Sequence, residues 1–219
     1  MTKANSSVLL SRYAIVQGEL AALIAPSGAG KSILLMMIGC VLEPTSGKIW
    51  LGNELVYDQE WKTKDARKIR REKIGFIFQA HYLIPFLNVL DNVALLPLST
   101  TKDENSALKR SKEILGFLGL SEKLSAKPSE LSGGQNQRVA IAQALANQPQ
   151  IILADGPTAA LDIERAHSVV KMLNEIAKLQ DVAIIMVTHD KRLLGYCDKI
   201  LKIVEGKVET TQVNESEVV

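Results

Sequence analysis

Residues 23–32 read LIAPSGAGKS, and they join two apolar segments of different character. The first segment, residues 20–24, is typical of a fully buried strand, and the second, Ile33 to Leu42, is typical of a helix. A strand, a glycine-rich loop and a helix in this order are the setting that a phosphate-binding loop requires. Glycines let successive backbone N–H groups point at an anion, and the helix N-terminus adds its dipole. We therefore predict a phosphate site in this loop.

The polar side chains of the loop support the same prediction. Lys31 would reach the β- and γ-phosphates of a nucleotide as a point charge, and the Ser32 hydroxyl would bind Mg²⁺. The alternative is an ordinary Gly/Ser turn before a buried helix. Ala25 stands where the pattern has its first glycine, and it would cost about 1–2 kcal/mol if that position needs a positive φ. The predicted nucleotide-binding residues of the loop are Ser27, Gly28, Ala29, Gly30, Lys31, Ser32 and Ile33.

The composition indicates one well-packed core. The chain has 219 residues, 47% of them hydrophobic, and its net charge of +2 gives no sign of nucleic-acid binding. Cys40 and Cys197 lie far apart in sequence, and we interpret them as buried thiols in a reducing compartment. No apolar run approaches the ~20 residues that span a membrane. Because Arg12, Gln17 and Glu19 interrupt the region where a signal peptide needs an apolar core, we expect a cytoplasmic protein.

The rest of the chain alternates strand patterns with helical ones. The strand patterns are residues 14–16, 48–51, 55–57, 74–78, 151–154, 183–187, 199–204 and 207–210, with hairpin turns at Gly52-Asn53 and Glu205-Gly206. The helical patterns are residues 88–98, 103–118, 137–147 and 163–180. The charge-rich residues 62–73 indicate a solvated helix face, with phosphate contact as the alternative. These patterns predict an α/β frame with a mostly parallel sheet and one helical insertion.

Two further motifs place polar groups at the ends of predicted elements. Residues 131–135 read LSGGQ before a predicted helix, and their serine and glycines form a second candidate anion site. Such residues are common in loops, so this motif is weak alone. Asp155 follows the apolar strand 151–154, where a parallel sheet would place a carboxylate that holds Mg²⁺ through water. The alternative is that Asp155 only caps a helix, but the Gly156-Pro157-Thr158 that follows favours the role as a metal ligand.

Together these motifs resemble those of the ATP-binding subunit of an ABC transporter. The matching residues extend from Ala25 to Gly206, about four-fifths of the chain, and include IGFIFQAH, RVAIAQALANQPQIILAD and MVTHD. These segments are most similar to the lipoprotein-release, macrolide-export and DevA-type exporter branch. The resemblance implies an α/β P-loop NTPase fold with a RecA-like sheet core. That core would comprise residues 1–79 plus 136–219, and residues 80–135 would form a helical subdomain that ends in the LSGGQ signature.

The resemblance also implies roles for single residues. Gln79 would sense Mg²⁺ and the γ-phosphate and face the membrane partner, and His189 would hydrogen-bond the γ-phosphate. With Asp155 these two residues are the catalytic candidates. The implied metal ligands are Ser32, Gln79 and Asp155. The residues implied to meet the ATP of a second subunit, or to lie at the dimer seam, are Ser132, Gly133, Gly134, Gln135 and Asp162.

Three features depart from the family pattern. The family places a glutamate directly after the Walker B aspartate to polarise the attacking water, and this chain has Gly156 there; a positioned general base contributes ~10²–10⁴ in rate. The family also has a first strand and an adenine-stacking aromatic upstream of the loop, whereas the sole aromatic here is Tyr13. Stacking on a base contributes ~1–3 kcal/mol, so we expect weaker nucleotide affinity. Ala25 and Ile33 replace the usual glycine and hydroxyl residue.

The leading hypothesis is a transport ATPase subunit that binds ATP and Mg²⁺, pairs with a second ATP-binding subunit and docks on an integral membrane permease. It would lie at the cytoplasmic face of the inner membrane, and an exporter could add a periplasmic adaptor. The first alternative, motivated by Gly156, is a degenerate regulatory or structural subunit that binds ATP with little hydrolysis. The second is a soluble ABC-type ATPase acting on DNA or ribosomes. The segment between Gln79 and Leu131 contains no coiled-coil insert, which disfavours it, and we expect no nucleic-acid partner.

Overall fold

The computed structural model describes residues 14–63, 65–101, 103–204 and 207–213. Its strands are β1 (Leu20–Ile24), β2 (Lys48–Leu51), β3 (Glu54–Asp58), β4 (Ile74–Phe78), β5 (Ile151–Asp155), β6 (Ala183–Val187), β7 (Lys199–Val204) and β8 (Lys207–Gln212). Its α-helices are α1 (Lys31–Ile38), α2 (Ala66–Lys73), α3 (Val89–Leu98), α4 (Glu104–Phe117), α5 (Gly133–Leu145) and α6 (Ile163–Leu179). Short 3₁₀ segments lie at Ser121–Lys123, Pro128–Glu130 and Lys191–Tyr196.

Six strands form one sheet in the order β4-β5-β6-β1-β7-β8. All pairs in it are parallel except β7 with β8, which are antiparallel. Parallel neighbours need long crossover connections, and the helices supply them. β2 and β3 pair separately as an antiparallel hairpin. The predicted α/β frame with a mostly parallel sheet is therefore confirmed.

Both faces of the large sheet are buried. In β1 the side chains of Leu20 and Ala22 join one apolar core, and those of Ala21 and Leu23 join the other. Successive side chains of a strand point to opposite faces, so a sheet covered on both sides requires continuous apolar runs. Helices α1 and α2 contribute to one core, and α3 to α6 contribute to the other. This double burial explains why the central strands could be recognised from sequence.

The segment between β4 and β5 is helical, as the sequence predicts. Val93 of α3, Leu115 of α4 and Ile141 of α5 lie in the same buried core as Ile152 of β5. The inserted helices therefore share one apolar core with the sheet. Their division from the nucleotide-binding core at residues 80 and 135 stays a prediction.

Side-chain caps explain where most of the α-helices begin. In each case a carboxylate, amide or hydroxyl oxygen accepts a hydrogen bond from a backbone N–H of the first turn, which would otherwise have no partner. The capping residues of α2 to α6 are Asp65, Asn88, Asp103, Ser132 and Asp162.

The predicted start of α5 is wrong. The helix begins at Gly133 rather than Gln137, because Ser132 and Gln135 form a reciprocal capping box. Two glycines in the first turn hid this start, since glycine disfavours a helix interior. The LSGGQ residues are therefore the cap and first turn of a helix and not a loop in front of it.

Two other boundaries also differ from the sequence prediction. α1 ends at Ile38 rather than Leu42, because Cys40 has a φ of 55° and a left-handed residue stops a helix. Residues 14–16 do not form a strand. Tyr13 and the predicted turn at Glu205-Gly206 lie outside the described residues, although β7 and β8 on either side of that turn are paired.

The described part of the chain contains no helix that combines the length and the apolar character needed to cross a bilayer. Cys40 and Cys197 are both buried free thiols, as predicted. Burial raises the pKa of Cys40 to about 11 and that of Cys197 to about 12.

Close packing of α5 on the sheet depends on Gly75 in β4. A Cβ atom there would overlap the backbone carbonyl oxygen of Ala144, which cannot move without shifting α5. We expect Gly75→Ala to lower the free energy of unfolding by about 1–3 kcal/mol, as overpacked core substitutions do. The matched control is Gly116→Ala in α4, where the new methyl group meets only the Ser121 hydroxyl and helix propensity favours alanine. Urea unfolding followed by circular dichroism measures both, and equal stabilities would contradict this role of Gly75.

Candidate nucleotide site

The candidate site lies at the edge where the parallel strands end. Phe78 of β4 is paired with Asp155 of β5, Asp155 with Val187 of β6, and Val187 with Leu23 of β1. The residues that directly follow these strands therefore emerge at one edge of the sheet. In open α/β sheets ligands bind in the crevice outside this edge.

The loop from Ala25 to Lys31 leaves the N-terminus of α1 open for an anion. Gly28 and Gly30 have φ values of 78° and 86°, a left-handed conformation that favours glycine. Nothing lies within 4 Å of the position that a Cβ atom of Gly28 would take. α1 has no side-chain cap and no acidic residue in its first turn, whereas α2 to α6 are all capped. Its free N–H groups and dipole fit a phosphate.

Lys31 supplies the positive charge of this loop. Its Nζ donates to the carbonyl oxygens of Ala25 at 2.8 Å and Pro26 at 2.9 Å, so the ammonium group folds back over the loop. Ala25 is not among the residues with positive φ, so the strain expected for alanine at this position does not arise. The loop combines a fixed ammonium group with unpaired helix N–H groups, and this chemistry suits the phosphates of a nucleotide.

Gln79, directly after β4, lies beside Gly156, which directly follows Asp155. A Cβ atom placed on Gly156 would lie 3.9 Å from both Cβ and Oε1 of Gln79. Gly156 itself has a φ of 62°. This position therefore has no side chain, and its backbone conformation is one that a non-glycine residue adopts at a cost of about 1–2 kcal/mol.

One carboxylate and two neutral oxygen ligands are a set that fits Mg²⁺. No group of three or more His, Cys, Asp or Glu side chains that could hold a metal occurs in the described ranges. Mg²⁺ usually takes one or two carboxylates and completes its shell with water and phosphate oxygens. The predicted ligands Ser32, Gln79 and Asp155 therefore match a metal that binds together with a nucleotide.

His189 is exposed just beyond β6 and is held by the turn around it. Thr188 N donates to Leu23 O at 3.2 Å, which ties this turn to β1. Asp190 N donates to Thr188 Oγ1 at 3.1 Å, and the Asp190 carboxylate accepts two hydrogen bonds from the Arg192 guanidinium. Those bonds lower the pKa of Asp190 to about 2. The imidazole is therefore carried on a rigid backbone at the same edge as the loop.

The LSGGQ residues and Asp162 lie on other elements. Ser132 Oγ accepts from Gln135 N at 3.3 Å, so its own hydrogen remains free to donate. Nothing lies within 4 Å of the Cβ positions of Gly133 and Gly134. Asp162 caps α6 and pairs with Arg165. Among the described residues no hydrogen bond connects Ser132–Gln135 with residues 25–32, so the structure does not unite the two candidate anion sites within one chain.

The sequence reading overlooked Gln137. This residue is 3% exposed, and its Nε2 donates to the backbone oxygen of Pro157 at 2.5 Å, directly beyond Gly156. A signal was available, since Gln137 lies at helical spacing on the same face as the buried Ile141 and Ala144. A buried amide among apolar residues indicates a specific partner.

The parallel sheet, the open N-terminus of α1 with its lysine, and the polar residues at the strand ends define a P-loop nucleotide-binding cassette. The sequence model of the family described as "ABC transporter" matches residues 11–159, and the chain belongs to this family as an ATP-binding subunit. That family consists of ATP hydrolases.

Several known proteins are similar over most of the chain. The hemin import ATP-binding protein HrtA of Staphylococcus aureus (strain MRSA252) is 39% identical over 196 residues, which are 90% of this chain and 87% of that protein. The protein of the same name from Staphylococcus epidermidis is 41% identical over 199 residues, 91% of this chain and 88% of that protein.

Solved structures of similar chains are ABC cassettes. MJ0796, determined as a dimer in a post-hydrolysis state bound to ADP and Pi, is 37% identical with a TM-score of 0.77; the match covers 92% of this chain and 88% of that chain. The cbiO1 protein from Clostridium perfringens, part of the ABC transporter complex cbiONQ, is 32% identical with a TM-score of 0.82 and coverages of 93% and 80%.

Removal of the Lys31 ammonium group tests the site directly. We expect Lys31→Ala to weaken ATP binding by about 100-fold or more, because charge-assisted hydrogen bonds to phosphate are lost. The fold should persist, since within the described residues the Lys31 ammonium group donates hydrogen bonds to two carbonyl oxygens of its own loop and to no other element. Isothermal titration calorimetry gives the affinity, and Lys112→Ala on the exposed surface of α4 is the control for charge. Equal ATP affinity in all three proteins would place the nucleotide elsewhere.

Proposed function

We propose that this chain binds ATP at residues 27–33 and acts as the ATP-driven subunit of a membrane transporter. The observation that carries this proposal is that the uncapped N-terminus of α1, with Lys31, lies at the same edge of the sheet as the ends of β4, β5 and β6. Mg²⁺ bound by Ser32, Gln79 and Asp155 would neutralise phosphate charge. The residues of this chain would hold the phosphates in the orientation that the reaction needs.

The proposed working form is a dimer with ATP at the seam. Gly133 and Gly134 have open space in front of them, and the Ser132 hydroxyl can still donate a hydrogen bond. A helix N-terminus that is open on this side can complete the phosphate site of another subunit. The relative MJ0796 was determined as a dimer, which supports this arrangement. The partner subunit is either a second copy or a related chain.

An exposed aromatic surface next to Gln79 is the proposed docking site for a permease. Phe78 and Tyr82 are 42% and 73% exposed, and their rings pack edge to face at 5.5 Å. Phe86, four residues further along the chain, is 75% exposed. Exposed aromatic side chains that pack together, like Phe78 and Tyr82, are typical of protein interfaces. Docking here would hold the chain at the cytoplasmic face of the membrane. The relative cbiO1 is itself part of a transporter complex.

The substrate and direction of transport would be set by that permease. The staphylococcal relatives carry a name that states hemin import, whereas the sequence motifs favour an exporter. Hemin is therefore the first transport substrate to test, with its cellular accumulation measured in the presence and absence of this chain. None of the relatives adds support for a periplasmic adaptor.

We propose further that the chain hydrolyses ATP slowly. Gly156 has no side chain that can take a proton from the attacking water, and the loss of such a base costs ~10²–10⁴ in rate. Lys31, Asp155 and His189 would still bind and clamp the phosphates. This combination favours a long-lived closed dimer, and it makes an ATP-binding regulatory subunit the second candidate function.

Cross-linking tests the dimer. Cysteines introduced at the exposed residues Ser27 and Ser132 should form covalent dimers only when ATP is present, because the two residues would face each other across the seam. The native thiols should not interfere near pH 8, since burial raises the pKa of Cys40 to about 11 and that of Cys197 to about 12. Cysteines at Ser27 and Ser168, the latter exposed on α6, form the control pair. Cross-links confined to one chain, detected by denaturing electrophoresis, would refute the arrangement.

Substitution of Gly156 tests the missing base. We expect Gly156→Glu to raise the hydrolysis rate by ~10²-fold or more with little change in ATP affinity. The same change should lower the free energy of unfolding by about 1–2 kcal/mol, because φ at this position is positive.

The matched control is Gly156→Gln, which has the same shape and backbone strain but cannot accept a proton. It should lose stability equally and leave the rate unchanged, as measured by phosphate release and urea unfolding. Equal rates in both variants would mean that the site lacks more than a base. Turnover of several per second in the unmodified protein, an ordinary enzyme rate, would show that another residue supplies the base.

A further inference from the structure

The helix that begins with the LSGGQ residues is bonded to the loop that follows Asp155. Gln137, one turn into α5, donates from Nε2 to the backbone oxygen of Pro157 at 2.5 Å, and both residues are buried. This bond spans 20 positions of sequence and connects two elements that are not neighbours in the chain. Pro157 lies two residues after Asp155, so the bond holds the end of the proposed metal-binding segment.

Stability alone does not explain an amide at this position. Gln137 Oε1 is also buried, and it has no hydrogen-bond partner in the part of the chain that the structure describes. An unpaired buried acceptor lowers stability. An apolar side chain of similar shape would avoid this cost but would lose the hydrogen bond from Nε2. What the glutamine provides is therefore the bond from Nε2 to Pro157 O. Buried polar exceptions of this kind call for a specific role.

The backbone around Pro157 needs such an anchor. Gly156 has a φ of 62°, and Ala159 N donates to Gly156 O at 3.1 Å, so the chain turns sharply directly after Asp155. Pro157 has no N–H group, and its carbonyl oxygen is the group by which a neighbour can hold it. α5 is rigid and well buried, with Val139, Ile141 and Ala142 at 0% exposure. Gln137 therefore ties a glycine-dependent turn to a well-buried helix.

We propose that Gln137 is a positioning residue for ATP hydrolysis. Through Pro157 it fixes the turn after Asp155, and through α5 it links that turn to Ser132–Gln135, which would meet the nucleotide of the second subunit. Engagement of the α5 N-terminus would thus be transmitted to the metal-binding carboxylate of the same chain. This inference rests on the proposed function, since it concerns the hydrolysis of ATP at residues 27–33.

The test compares two glutamines of the same helix. Gln143 Nε2 donates to the backbone oxygen of Asn92 at 3.0 Å, away from the nucleotide site. Gln137→Met and Gln143→Met each remove one amide donor to a carbonyl and keep the side-chain size. Gln143→Met should therefore lower the melting temperature by about 2–4 °C, and Gln137→Met by no more than that, because it also removes the unpaired Oε1. Both should bind ATP in EDTA like the unmodified protein, because residues 27–33 are untouched.

The two variants should differ once Mg²⁺ is added. For Gln137→Met, we expect the Mg²⁺-dependent gain in ATP affinity and the single-turnover hydrolysis rate to fall by ~10-fold, since a displaced catalytic group costs this much or more. For Gln143→Met, neither should change. Binding is measured by fluorescence competition and hydrolysis with γ-labelled ATP and protein in excess, which detects slow rates.

A second variant covers the case in which Gln137→Met does not fold. The carboxyl of Gln137→Glu is buried, and burial raises the pKa of a carboxyl group. When protonated, it can donate to Pro157 O in place of the amide. The rate of this variant relative to the unmodified protein should therefore recover as the pH falls from about 8.5 to 6.

The outcomes separate this inference from the proposed function. If the unmodified protein binds no ATP, the proposed function fails and this inference fails with it. If ATP binds but Gln137→Met behaves like Gln143→Met, or the relative rate of Gln137→Glu is independent of pH, the role of Gln137 is overturned while the nucleotide site stands.

Discussion

Parallel pairing in register brings the ends of β1, β4, β5 and β6 to one edge, and everything else at the candidate site depends on this pairing. Leu23, Val187, Asp155 and Phe78 are matched across four strands. The register is held because both faces of the sheet are buried, and a slip by one residue would turn every side chain to the wrong core. α1 can then begin at this edge with free N–H groups, since no side chain of its own caps it. The buried sheet thus places the free N–H groups of α1 and the residues after β4, β5 and β6 side by side at one edge.

Gly156 shows how one position can change chemistry and backbone together. Without a side chain it offers no group that can accept a proton, and with a φ of 62° it allows a turn that other residues adopt only with strain. The phosphate-binding half of the site does not depend on this position. In the proposed function, binding and hydrolysis of ATP would therefore be separable, as in a subunit whose closed, ATP-bound state persists.

Helix α5 connects regions with different proposed partners. Its first turn has open space in front of Gly133 and Gly134, Gln137 reaches the turn after Asp155, and Gln143 reaches α3 through Asn92. Asn92 in turn binds the backbone of Ile84, close to the exposed aromatic surface after Gln79. A buried, well-packed helix moves as a unit because close-packed interiors resist deformation. α5 is therefore suited to relate the proposed nucleotide site, the proposed second subunit and the proposed docking surface.

The strand–loop–helix at residues 20–38, the buried strands β4, β5 and β6, and the placement of Gln79, Asp155 and His189 at strand ends could be predicted from sequence, because apolar runs and motif spacing are local properties. The end of α1 and the start of α5 were missed, because a left-handed Cys40 and a reciprocal Ser132–Gln135 cap depend on backbone geometry. The positive φ of Gly156 and the bond from Gln137 to Pro157 could not be predicted from sequence, for a further reason. They exist only once α5 is packed on the sheet, since a contact across 20 positions is created by tertiary packing and not by local preference.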